Sequence, residues 1–416
     1  MRYIRLGAEY YAARRKRVLD SMPEGALLLL TGNDLLPSNA DGTFGFIQST
    51  SFFYLTGIDQ EEGFLLLQKG GEEILFLTET SAHIRIWEGD KLSKEQGVEV
   101  SGIKRVEWLE AFWDVLAEKL GKELYVYRDE IQMERFPSFR SRAEWVLSTL
   151  KEKHPDVVVL NPAPFIHALR MVKDSGEIEA IKTAIESTHE GLKRAASFLK
   201  PGVFEFEVEA EITHEFLRRR SRFHAFPPIV ASGANACVLH YVGNHAQCKD
   251  GDLLLLDFGA EYGNYRADMT RVLPVNGKFS ARQAEVYSAV LRMFKRLREQ
   301  MVVGNTVIQL KAEAMRLLRE ELVVLGLTKP GAGPAAAQAY LPHGVSHSLG
   351  LDVHDVGEKG TLFAPGMVFT LEPGIYIREE GIGIRLENDI LITESGPVDL
   401  MAHVPIEMED IENLMI

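Results

Sequence analysis

Leu253-Leu254-Leu255-Leu256-Asp257-Phe258-Gly259 and Met367-Val368-Phe369-Thr370-Leu371-Glu372-Pro373-Gly374 share one pattern: an apolar strand ending in an acid, with glycine two residues on. A second acid follows each copy after a short excursion, Asp268 eleven residues past Asp257 and Glu387 fifteen past Glu372. The echo predicts two related halves. If each excursion is a hairpin, its midpoint falls at Tyr262-Gly263 in the first copy and at Glu379-Glu380 in the second, both plausible turns. Residues equidistant from a tip face each other across the strands, so each pair sets its carboxylates side by side. Unpaired acids on such apolar strands would take up protons, and four converging acids therefore argue for a bound cation.

Imidazole is available nearby. His343 and His347 form His-x-x-x-His, and His354 lies in Gly350-Leu351-Asp352-Val353-His354-Asp355; one of the three is expected to complete the site. No glutamate follows the first histidine, so this is not the His-Glu-x-x-His zinc-protease helix. Hard oxygen ligands with a single imidazole favour Mn²⁺, with Co²⁺, Fe²⁺ or Zn²⁺ also open. Asp257-Phe258-Gly259 matches a kinase tripeptide, but no Gly-rich phosphate loop or His-Arg-Asp accompanies it.

Upstream, strand-like runs at 26–30, 63–67, 74–77, 124–127 and 157–160 alternate with amphipathic stretches such as 108–120, the pattern of an α/β domain. Asn161-Pro162-Ala163-Pro164 reads as a break. Beyond it, Asp174 to Leu199 reads as one long helix with Ile178, Ile181, Ile185 and Leu192 inward, and two later helices carry capping boxes, Ser280 with Gln283 and Thr306 with Gln309. The expected domains are 1–165 and 174–416.

Composition removes several function classes. A chain of 416 residues, 46% hydrophobic, can bury a large core. A net charge of −14 and a pI near 5.4 oppose a phosphate-tracking surface, so no nucleic-acid partner is expected. No apolar run reaches about 18 residues and the start lacks a secretion-signal core, which predicts a cytoplasmic protein without a membrane partner. Cys237 and Cys248 are the only cysteines and form no Cys-x-x-Cys, so neither a disulfide framework nor a thiolate zinc site is expected.

The motifs around the acids resemble those of the pita-bread metallopeptidases, in the bacterial aminopeptidase P branch. The resemblance is carried by Leu239-His240-Tyr241, Asp268-Met269-Thr270-Arg271, Pro274-Val275-Asn276-Gly277-Lys278-Phe279, Pro342-His343-Gly344-Val345-Ser346-His347, Leu351-Asp352-Val353-His354-Asp355-Val356-Gly357, Glu372-Pro373-Gly374-Ile375-Tyr376 and Arg385-Leu386-Glu387-Asn388. Gln48-Ser49-Thr50-Ser51-Phe52-Phe53-Tyr54-Leu55-Thr56-Gly57 extends it to the first domain, so it spans nearly the whole chain. The implied architecture is an α/β N-terminal domain of the creatinase/aminopeptidase P type, plus an α+β pita-bread catalytic domain with an internal pseudo-twofold repeat. Two sites depart from the pattern: Asn388 replaces the usual aspartate of Arg-Ile-Glu-Asp, and Ser348 stands where many aminopeptidases P have tryptophan.

The resemblance implies two divalent ions held by Asp257, Asp268, His347, Glu372 and Glu387, with Asp268 and Glu387 bridging. It implies catalytic and substrate-binding roles for His240, His343, His354 and Arg385, the last of which strand alternation puts on the face of Glu387. The implied reaction removes the N-terminal residue from peptides with proline second, by a metal-bridging hydroxide, with Glu372 relaying the proton, His354 steadying the intermediate and Tyr376 as a pocket wall. Xaa-Pro dipeptidase (prolidase) is the alternative, and a non-catalytic pita-bread binding protein a further one; creatinase-type chemistry is disfavoured because those relatives lack the metal set. The N-terminal domain is expected to serve oligomerisation, as a homodimer or homotetramer, and closure of the substrate cleft.

Overall fold

A computed structural model describes residues 3–136 and 138–416. The chain forms two compact units, one of Arg5–Arg170 and one of Met171–Ile416 together with Tyr3 and Ile4.

The first unit is a six-stranded mixed sheet. Its strands are β1 (Leu27–Thr31), β2 (Phe64–Gln68), β3 (Glu73–Leu77), β4 (Arg105–Trp108), β5 (Glu123–Val126) and β6 (Val158–Leu160), in the order β4-β3-β2-β1-β5-β6. β1 is buried throughout, which is why it reads as an unbroken apolar run rather than an alternating one. The stretch expected as an amphipathic helix from residue 108 divides: Trp108 ends β4, parallel to β3, and the helix occupies Phe112–Lys119. Gln48 is buried and accepts from the backbone N–H groups of Asn33 and Ser49 while donating to the carbonyls of Ile58 and Gln60. It ties together the loops around the Thr50–Thr56 helix.

The Pro-rich stretch at 161–164 is a helix start rather than a break. Asn161 Oδ1 accepts from the Ala163 N–H at 3.1 Å, and the Ala163–Met171 helix follows. Proline is tolerated in a first helical turn, where its missing N–H would lack an intrahelical partner in any case. After three intervening residues the long helix begins. It spans Ser175–Phe198, with a reciprocal capping box between Asp174 and Glu177. Ile181, Ile185 and Leu192 are buried and Ile178 half-buried, as the apolar spacing requires.

Four sets of strands follow in the second unit. β7 (Ile229–Ser232), β8 (Leu253–Phe258) and β11 (Met269–Pro274) form one sheet, with the two-residue strands β9 (Glu261–Tyr262) and β10 (Tyr265–Arg266) as a hairpin extension. β12 (Val368–Leu371), β15 (Asn388–Thr393) and β16 (Gly396–Asp399) form another, extended by the hairpin of β13 (Gly374–Ile377) and β14 (Ile382–Arg385). The Ala281–Arg298 and Val307–Val324 helices pack one apolar face each into the core between them. The first has the expected capping box, Ser280 with Gln283. At the second, Thr306 Oγ1 accepts from the Gln309 N–H, but the Gln309 side chain takes the threonine hydroxyl and Asn305 Oδ1 takes the Thr306 N–H. A neighbouring asparagine has displaced half of the predicted motif. Among the described residues, no helix is long and apolar enough to cross a membrane. Cys237 and Cys248 are buried free thiols, and burial pushes the Cys248 thiol up to about 11.

Candidate metal centre

Each acid is placed by strand register. In the second half, β12 pairs Leu371 with Asn388 and β13 pairs Gly374 with Arg385, so one register runs through both ladders. Glu372 and Glu387 fall opposite each other at the interruption between them, where their N–H groups donate to the Val345 and Thr270 carbonyls instead. The tip is a single 3-10 turn at Arg378–Glu380 closed by left-handed Gly381, at the expected midpoint.

The first half differs from expectation. Gly263 and Asn264 both take positive φ, 59° and 71°, and form the two-residue turn between Tyr262 and Tyr265. Such turns match the twist of the flanking strands. The tip thus lies one residue later than the sequence midpoint, and Asp257 faces Thr270 rather than Asp268. Asp268 still shares a face with Thr270, being two residues away, so the two aspartates are diagonal neighbours. Gly259 makes this approach possible: a Cβ there would lie 1.7 Å from the Ala267 carbonyl oxygen. Extending both registers aligns Asp268 with Arg385 and Thr270 with Glu387, so the internal echo is displaced by one pleat pair in its second acid.

These placements bring the groups together. Asp268, His347 and Glu387 offer ligand atoms all within 4.8 Å of one another. His347 Nε2 lies 3.5 Å from Asp268 Oδ2 and 3.9 Å from Glu372 Oε1. Asp257 enters through Arg385, whose Nη2 donates to its Oδ2, whose Nη1 donates to Tyr376 Oη at 2.6 Å and whose Nε donates to Thr270 Oγ1 at 3.1 Å. Thr270 in turn donates to Glu387 Oε2 at 2.6 Å. Tyr376 Oη lies 2.8 Å from His343 Nε2, and His343 Nδ1 lies 3.3 Å from Glu372 Oε2. A continuous polar chain therefore runs Asp257–Arg385–Tyr376–His343–Glu372.

The electrostatics follow from the burial of this charge. Desolvation and then the neighbouring carboxylates hold Asp268 and Glu387 well above the usual carboxylate range in the cation-free protein. Asp389 is raised in the same way, chiefly by burial. Glu372 goes the other way: burial pushes it up, but the hydrogen bond and charge of His343, with His347 and Arg385, bring it below its ordinary value. Desolvation raises Tyr376 to about 12. Asp257 Oδ1 and Asp268 Oδ1 are buried without a hydrogen-bond partner. Buried carboxylate oxygens are ordinarily paired or coordinate a metal, so these two orphaned atoms beside a convergent imidazole fit a divalent cation.

The other candidates lie around this core. His354 is exposed, with its ring 4.3 Å from that of His347. His240 is exposed on the loop beyond the Gly233–Cys237 turn, and among the described residues no hydrogen bond joins it to the acids. Arg385 and Tyr376 are both buried. The Arg385 guanidinium donates to Asp257, Tyr376 and Thr270. The Tyr376 hydroxyl meets both Arg385 and His343.

Both departures from the family pattern have local explanations. Asn388 accepts from Arg271 Nη2 at 2.7 Å and donates to Asp399 at 2.9 and 3.0 Å, a bridge that an aspartate could not complete. Ser348 donates to the Asp355 carbonyl and its own carbonyl accepts from the Asp355 N–H, so it fastens the His354 loop beside His347.

Several contributors were not singled out from sequence. Thr270 and Asp389 lie among the acids, and Asp389 accepts from the Asp268 N–H at 3.2 Å. Glu205 is buried and accepts from the N–H groups of Ser232 and Ala246, from Asn235 and from Tyr241, so it organises the loop that carries His240. Lys173 and Asp355 form a buried ion pair at 3.0 Å that anchors the His354 loop to the start of the long helix. For Asp389, its two-residue spacing from Glu387 was an available signal; for Glu205 there was none.

Comparison with known proteins agrees with this geometry. Residues 179–394 match Metallopeptidase family M24, and residues 11–127 match the aminopeptidase P N-terminal domain. The chain is 36% identical to the Xaa-Pro aminopeptidase of Haemophilus influenzae, over 99% of its own length and 98% of the relative's. It superposes with a TM-score of 0.91, at 32% identity and 99% coverage of both chains, on aminopeptidase P from E. coli with the inhibitor Pro-Leu, and equally on the zinc-substituted E. coli enzyme with product. With the family match covering half of the chain and the acids, imidazole and hairpins placed as described, the chain belongs to metallopeptidase family M24, joined to an aminopeptidase P N-terminal domain.

Proposed function

We propose that this metallopeptidase releases the N-terminal residue from peptides with proline in the second position, using two divalent cations held by Asp257, Asp268, His347, Glu372 and Glu387, Mn²⁺ by preference. The observation that carries the reading is the pair of buried, partnerless oxygens of Asp257 and Asp268 beside His347 and Glu387. When bound, the cations supply Lewis acidity and lower the pKa of the attacking water.

The remaining work falls to the chain's own groups. Glu372, kept ionised by His343, accepts the proton of the attacking water and returns it to the proline nitrogen. Tyr376 sets the orientation of the His343 ring, and Arg385 holds Tyr376 and Asp257 in register. His354, exposed beside His347, faces the developing oxyanion, while His240 and His343 contact the proline side. An Xaa-Pro bond lacks an N–H, so recognition depends on such side-chain surfaces rather than on a hydrogen bond to the scissile amide.

The enzyme is a metallo-aminopeptidase of the Xaa-Pro type. The relatives named above are aminopeptidases over nearly their full length, and dipeptidase activity gains no support from them. We assign the N-terminal unit to assembly of a homodimer or homotetramer, and the protein to the cytoplasm; full activity from a monomer in light scattering would refute the first assignment. The central test is reconstitution. Protein stripped of metal should be inactive on an Xaa-Pro-Yaa-Yaa peptide and regain hydrolysis with Mn²⁺; no gain would sink the proposal.

A further inference from the structure

Glu186 and His189 project from one face of the long helix, being three residues apart, and meet His403 of the turn that follows β16. The ligand atoms of the three residues lie within 4.8 Å of one another, and the trio shares no residue with the acid cluster. His403 Nε2 is 2.8 Å from Glu186 Oε1. The two imidazole rings pack edge to face, with centroids 5.3 Å apart at 68°.

An exposed histidine–glutamate pair alone is ordinary. His189 is not ordinary: it is 8% exposed, and its Nε2 is buried without a hydrogen-bond partner. A buried ring nitrogen normally finds a partner, because desolvation without one is costly. The backbone on both sides is fixed. Thr188 accepts from the Ala260 N–H at 2.9 Å, and His403 sits between buried Met401 and Val404, whose backbones are joined at 2.8 Å. The neighbouring charges largely neutralise each other, Glu190 pairing with Lys193 and Arg219, so Glu186 supplies the local negative charge.

We propose that Glu186, His189 and His403 form a second, separate metal site that binds one borderline-soft divalent cation, Zn²⁺, Ni²⁺ or Cu²⁺, and staples the long helix to the turn after β16. Two imidazoles and one carboxylate are a recurrent zinc set, and the half-open edge leaves room for water as a fourth ligand. The nitrogen-rich set separates this site from the oxygen-rich acid cluster, which suits harder ions. A cation here would take the place of the direct contact between His403 Nε2 and Glu186 Oε1 and give the buried His189 imidazole a partner.

The test is zinc content after equilibrium dialysis against micromolar Zn²⁺, comparing the full-length wild type with His403→Ala and Glu186→Gln. The wild type should bind one more ion per chain than either variant, and Zn²⁺ should raise the melting temperature of the wild type more than that of the variants. Peptide hydrolysis by Mn²⁺-loaded protein should be equal in all three, which also reports that the variants fold. Equal zinc content in the wild type and both variants would overturn the proposal.

Discussion

Tyr376 is the residue through which the two ends of the site communicate, since its hydroxyl meets both Arg385 and His343. Tyr376→Phe removes that node and keeps the ring, so kcat should fall about 10-fold to 100-fold with the metal content unchanged. Equal loss of metal would move Tyr376 from orienting His343 to building the cation site. Asn388 is testable through stability. In Asn388→Asp the donor to Asp399 disappears and two carboxylates are left side by side, which should cost on the order of 2 kcal/mol in urea denaturation. At this scale the four acids were legible because apolar strands cannot carry unpaired carboxylates without a reason. Thr270, Asp389 and Glu205 were not, because their importance lies in which distant backbone they face. His347 could be chosen among the histidines only by resemblance, and the geometry now sets it beside Asp268 and Glu387.

The two hairpins were legible as elements but not equally in register. The longer excursion had its tip where simple symmetry put it, whereas the shorter one shifted by a residue because Gly263 and Asn264 take left-handed conformations that the spacing of acids does not encode. Gly259 is the corresponding structural demand on the first strand pair. Gly259→Ala would drive its Cβ into the Ala267 carbonyl and should destabilise the protein by about 3 kcal/mol or more, with loss of metal binding. A variant with wild-type melting temperature and metal content would contradict the strand placement. The capping reading shows the same limit. Ser280 and Gln283 behaved as their local pattern requires, while Asn305 intervened at Thr306, a competition between neighbours that a four-residue motif does not weigh.

For the molecule as a whole, metal and proton are competing answers to the same buried charge. In the stripped protein, the raised pKa values of Asp268, Glu387 and Asp389 mean that the folded state binds more protons than the unfolded chain above the ordinary carboxylate pKa of about 4. Stability of the stripped protein should therefore fall as pH rises from there through the raised folded values, and a bound cation should flatten that slope. Urea midpoints of stripped and Mn²⁺-loaded protein, taken at about pH 5 and about pH 8, measure the difference. A steeper fall in the loaded protein would contradict the assignment of the acids to metal. The two-unit organisation was visible in the periodicities of the chain, but proline specificity was not, being suggested only by the resemblance to the aminopeptidase P branch. The most direct test of the whole account is therefore a peptide-length series with the Mn²⁺-loaded enzyme: Xaa-Pro-Yaa-Yaa should be cleaved after its first residue far faster than either Xaa-Pro or Xaa-Ala-Yaa-Yaa, and rapid turnover of the dipeptide alone, or indifference to proline, would contradict it.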